Sequence, residues 1–164
     1  MASRRRAREV VIQVLFQRDL NPGSDYDVED QFVRDRLKRD SRFVDFAIAL
    51  LRGIQSHQDG IDEALSKTAQ NWKLGRMAAT DRAILRLATF EILFFEQTPG
   101  PVAINEAIEL AKRYGTNNSS QFVNGILDRL HKNSESFAKT SEQVAEAEPQ
   151  ELPEKSEQLE SDSE

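Results

Sequence analysis

Four arginines, Arg4, Arg5, Arg6 and Arg8, stand in the stretch SRRRARE at 3–9, and an aromatic residue, Phe16, follows on the same run. Guanidinium groups bind phosphate oxygens in bidentate geometry and an aromatic face accepts a stacked base, so the combination suits single-stranded nucleic acid. A second cluster, NNSSQFVNG at 117–125, places Asn117, Asn118, Gln121 and Phe122 around a helix start. Unpaired backbone N–H groups there favour anions, and the amide side chains can bond base edges or phosphates. Catalytic arrangements lack parts. His57 and His131 are the two histidines, far apart in sequence, and cysteine is absent. No strand precedes a glycine-rich phosphate loop. Glu106 and Glu109 fall among good helix formers, where a solvated face accounts for them. The residues point to binding rather than catalysis, with no catalytic group, metal or cofactor expected.

These groups must be held by helices, because apolar residues recur at intervals of three and four and period-two alternation is missing. Ala7, Val10, Val11 and Val14 make one stripe, ended by NPGSD at 21–25. Val28, Phe32, Val33 and Leu37 suggest a short second helix, and a third begins near Ser41. A fourth runs from Gly60 towards Trp72. Thr80 is a plausible cap for DRAILRLATFEILFF, and TPGP at 98–101 is a stop followed by a start, since proline is tolerated in a first turn. The next helix ends at Gly115, expected as a left-handed cap, and Ser119 or Ser120 caps the last one. The expectation is an all-α bundle of six to seven helices. With Ala7 as zero on a helical wheel, Phe16 lies at about 180° and Arg5 near 160°, opposite the stripe. Two readings are open: a helix wrapped on two sides with Phe16 buried, or a stacking platform beside cations.

Formal charge is −6, but it is unevenly spread. Residues 134–164 hold ten acidic and two basic residues, a net of −8, which leaves +2 for 1–133. We expect a folded domain over 1–133 and a disordered acidic tail over 134–164, whose scarce apolar content cannot offset its ordering entropy. Lack of cysteine excludes a disulfide framework and fits a reducing compartment. The apolar runs are too short to span a bilayer, so a soluble, cytoplasmic protein is expected.

With RRRARE at 4–9, LLRG at 50–53, AILRLATFEI at 83–92, VAINEAIELAKRYG at 102–115 and FVNGILD at 122–128, in that order, the chain resembles the NusB transcription antitermination family. The resemblance covers nearly all of residues 3–131, and its most specific part is VAINEAIELAK followed by FVNG. It implies an all-helical RNA-binding protein that pairs with NusE, the ribosomal small-subunit protein ten. Together they bind boxA RNA of nascent transcripts, especially ribosomal RNA leaders, and join the elongating RNA polymerase complex with other Nus factors. The implied RNA contacts are Arg4, Arg5, Arg6, Arg8, Phe16, Gln121 and Phe122. The implied NusE contacts are Asp81, Asn117 and Asn118. Phe16 stands where tyrosine is common, Gln121 where a basic residue is frequent, and Asp81 where glutamate is expected; the acidic tail has no counterpart. Two other readings stand beside this one: an RNA-binding module of the kind that precedes ribosomal RNA cytosine methyltransferase domains, and a homodimeric helical scaffold.

Overall fold

Spacing by threes and fours is realised as helix along most of the described residues. The computed structural model describes residues 2–23 and 25–145, with burial and side-chain contacts through residue 135. They form α1 (Arg4–Leu20), α2 (Tyr26–Arg36), α3 (Ser41–Ser56), α4 (Gln58–Thr68), α5 (Ala79–Phe94), α6 (Gly100–Tyr114) and α7 (Ser119–Ala145). A 3-10 turn at Leu74–Arg76 interrupts the link between α4 and α5, and no strand occurs among the described residues. Ser3, Asp25 and Asp40 cap α1, α2 and α3, each accepting a backbone N–H with its side-chain oxygen. This satisfies donors that a helix start leaves orphaned.

The α5 helix is the hub. Its buried residues, Ile84, Leu85, Leu87, Ala88 and Phe90 among them, lie on nearly every side, as expected of a helix enclosed by others. It packs against α1, α3, α4, α6 and α7. Gly53 of α3 allows one of these contacts, since a Cβ there would collide with the buried Phe90 ring.

Two local expectations are corrected. Thr80 does not cap α5, which begins at Ala79 without a side-chain cap. The entry is fixed from outside instead: Arg82 Nη1 donates to the carbonyls of Leu74 and Met77 at 3.1 and 3.2 Å. Gly115 is extended rather than left-handed, with φ −91° and ψ −169°. Glycine is required there by close packing, because a Cβ would meet Ser119. The domain end expected at 133 falls inside α7, which continues to Ala145. No glycine or proline stands between 126 and 148, so nothing in the sequence stops that helix. The rest of the expected acidic tail, 146–164, lies outside the described residues.

Candidate nucleic-acid interface

The opening arginines share one helix but not one environment. Arg4 is exposed and its guanidinium lies 5.3 Å from the Phe46 ring centre. Arg5, also exposed, forms a fork with Glu106 of α6, Nε and Nη2 donating at 3.0 and 3.1 Å. Those bonds hold the Glu106 carboxyl below its ordinary value of 4.5. Arg6 is half-buried and donates to Glu9, whose other oxygen accepts from Arg113 of α6, each at 2.9 Å. The helix start is thus strapped to α6 by carboxylates that partly neutralise it.

Arg8, expected among the RNA contacts, lies in the interior of the bundle. It is 4% exposed and its Nε donates to Glu91 Oε1 at 2.8 Å, with the guanidinium 5.3 Å from the Phe46 ring centre. The wheel explains why. Arg8 lies at about 100°, between Leu15 near 80° and Ile12 near 140°, and both are buried. The core stripe is therefore wider than Ala7, Val10, Val11 and Val14 alone. Burial pushes the Glu91 carboxyl upward, against the pull of Arg8.

Phe16 is 37% exposed, so its ring is not enclosed in the core. It borders a groove of about 590 Å³ with Leu20, Phe32, Arg36 and Tyr114. Arg36 is exposed and lies 4.8 Å from the Phe32 ring centre. The groove thus combines accessible rings with a cation.

A second cleft, of about 500 Å³, opens where the 3-10 turn meets the start of α7. Phe122 is half-buried there and Gln121 and Asn118 are exposed on the rim, whereas Asn117 is exposed outside it. Trp72, which the sequence reading left unused, is 57% exposed and meets Phe122 edge to face at 5.4 Å. Arg76 adds an exposed cation. The signal available in the sequence was a lone tryptophan among the polar and glycine residues of QNWKLGR, outside any apolar stripe. Asp81 also lines this cleft but is only 8% exposed, and its Oδ1 is buried without a hydrogen-bond partner. A protein surface cannot lie flat against it; whatever reaches Asp81 must be inserted.

Both ends of the cleft are braced. Arg82, which holds the turn, donates through Nε to Asp19 of α1 at 2.9 Å, and Asp19 accepts from Arg86 at the same distance. Arg86 also bonds Asp62 of α4. On the other side, Ser119 Oγ accepts the Thr116 N–H at 2.9 Å, shaping the turn before α7. Among the described residues no group of histidine, cysteine or carboxylate side chains is placed to hold a metal, and no helix is long and apolar enough to cross a membrane.

The NusB family model matches residues 5–132. The transcription antitermination protein NusB of Desulfosudis oleivorans is 43% identical over 136 residues, covering 80% of this chain and 87% of the relative. That of Desulfitobacterium hafniense is 46% identical over 130 residues, covering 78% and 87%. Among solved structures, T. maritima NusB superposes with a TM-score of 0.74 at 40% identity, over 86% of this chain and 99% of that one. A chain from a complex of the antitermination factors NusB and NusE with double-stranded RNA shares the fold, with a TM-score of 0.72 at 23% identity over 79% and 96%. Motif order, helix arrangement and identity over four-fifths of its length agree: this chain belongs to the NusB family of transcription antitermination proteins.

Proposed function

We propose that this protein acts in the cytoplasm with NusE, binding boxA RNA of nascent ribosomal transcripts and joining the elongating RNA polymerase so that termination is suppressed. Family membership supports the role, and the RNA-binding assignment rests on one observation. Both patches expected to meet RNA carry an accessible aromatic ring beside an exposed arginine, Phe16 with Arg36 and Phe122 with Arg76. Rings and cations in alternation are what sequence-tolerant single-strand binding requires. Arg4, Arg5 and Arg6 supply further phosphate contacts in this reading, Gln121 a polar one, and Arg8 supplies none. Asn117 and Asn118 face NusE.

NusE should raise affinity for boxA, because the two patches belong to a folded part of modest charge. Titrating fluorescent boxA and scrambled RNA, with and without purified NusE, tests this. Tighter boxA binding in the presence of NusE is expected; equal binding of both RNAs with no effect of NusE would overturn the reading.

A further inference from the structure

We propose that the turn between α2 and α3 is a second phosphate-binding surface, carrying RNA backbone that continues out of the Phe16 groove. This rests on the RNA-binding role given above and deepens it, since it adds nucleotides flanking boxA to what the protein holds.

Positive charge is concentrated at this turn. Residues 34–42, RDRLKRDSR, hold five basic side chains against two acidic ones, a net of +3, so the remainder of 1–133 sums to −1. All five basic side chains are exposed. Elsewhere the arginines are largely neutralised: Arg5, Arg8, Arg18, Arg52, Arg82 and Arg86 each meet a carboxylate at 2.7 to 3.0 Å. In the turn, Arg34, Arg36 and Lys38 form no ion pair among the described residues, and Arg39 reaches only the exposed Asp35, at 3.7 Å. The negative end of the α2 dipole accounts in part for Arg34 and Arg36, which stand in its last turn. Lys38 and Arg39 lie beyond it.

The backbone holds those two residues in a costly shape. Lys38 and Arg39 have φ of 54° and 56°, in the left-handed region that glycine or asparagine occupies at least cost. The Arg39 N–H donates to the Arg34 carbonyl at 2.9 Å, the bond that closes a helix C-terminus, and the fully buried Leu37 anchors the turn to the core. Asp40 then caps α3, accepting the Arg42 N–H at 3.3 Å. The turn is therefore fixed from within, and its two left-handed positions carry long cations where glycine would relieve the strain. Strain kept in this way marks a position held for binding.

Continuity identifies the ligand. Arg36 lines the groove of Phe16 and Phe32 and stands two residues before Lys38. A strand whose bases stack on those rings carries its phosphates past Arg36, and the next cations in line are those of the turn. An acidic protein surface would match the charge but would leave the accessible rings beside it unexplained, whereas rings next to backbone-binding cations are what a single strand requires.

The test uses the full chain with NusE and three single-stranded RNAs: boxA alone, and boxA lengthened with uridines on its 5′ or its 3′ side. One lengthened RNA should bind more tightly than boxA alone, with a slope of log K against log salt steeper by about 1.4, the value for two added phosphate contacts on a single strand. Lys38→Gln with Arg39→Gln should remove both the gain and the added slope, while binding of boxA alone stays nearly unchanged. Lys38→Arg with Arg39→Lys, which keeps the charge, should bind as the parent does. Phe16→Ala should instead weaken all three RNAs by a similar factor.

No gain from either extension in the parent chain, or a gain that survives the double glutamine variant, would overturn the proposal. The first of these needs no variant, so the proposal stays open to refutation even if the glutamine pair fails to fold. Loss of the gain in the charge-keeping variant would also overturn it, because the turn would then act through its shape. Tighter RNA binding by the glutamine variant would do the same, since the turn would then be a seat for the chain's own acidic residues. A protein that prefers boxA to scrambled RNA yet gains nothing from the extensions loses only the turn; one that binds no RNA loses the functional reading as well.

Discussion

Arg8 and Phe16 lie two turns apart on α1 and act in opposite ways. Phe16→Ala should cost about 1–3 kcal/mol of RNA affinity, the usual value of a lost base stack, while barely moving the melting temperature, since the ring is already solvent-accessible. Arg8→Gln should destabilise the fold by about 3–5 kcal/mol, because it leaves Glu91 buried without a counter-charge. Arg4→Gln with Arg5→Gln should instead flatten the slope of log K against log salt by about 1.4, the value for two phosphate contacts on a single strand. Thermal melts and salt titrations of the three variants separate these outcomes. The straps to α6 add a pH signature. Glu106 is held below 4.5 by Arg5, so its stabilising contribution is present above that value and lost as pH falls through the lowered one. Urea unfolding across pH should show Glu106→Gln weaker than the parent near neutrality and converging with it in acid.

Among the elements, α5, α6 and α7 were legible from the sequence because each carries a long apolar stripe bounded by proline, glycine or a polar loop. What the stripe could not show is which flank is covered. Arg8 and Asp81 are polar residues of ordinary surface type, and both are buried because α5 is enclosed by five neighbours, a fact of tertiary packing and not of periodicity. The Trp72 turn was missed for the converse reason: it belongs to no stripe, and only the fold brings it to Phe122. Its position depends on Arg82 and Asp19. Asp19→Ala should therefore destabilise the protein by about 1–3 kcal/mol through two lost charge-assisted bonds. It should also broaden the Trp72 emission as the turn loosens. Gly53→Ala gains about 1 kcal/mol of helix propensity, but the collision with the buried Phe90 ring outweighs it, for a net loss of about 1–2 kcal/mol by calorimetry.

At the scale of the whole molecule, the two grooves and the arginine straps occupy the α1, α5 and α6 region together with the start of α7, and α7 then runs on to Ala145. From Phe122 to Ala145 a helix covers about 35 Å at 1.5 Å per residue. Ala145 thereby lies several Debye lengths along the helix from Phe122, each length near 8 Å at physiological salt. Deleting 146–164 should leave specific boxA binding intact and raise scrambled-RNA affinity only at low ionic strength, where long-range repulsion is felt. The same length of helix has a practical side. A biotin or dye placed just beyond Ala145 would sit about 35 Å along α7 from Phe122, so a label attached there is kept away from the cleft in an immobilised assay.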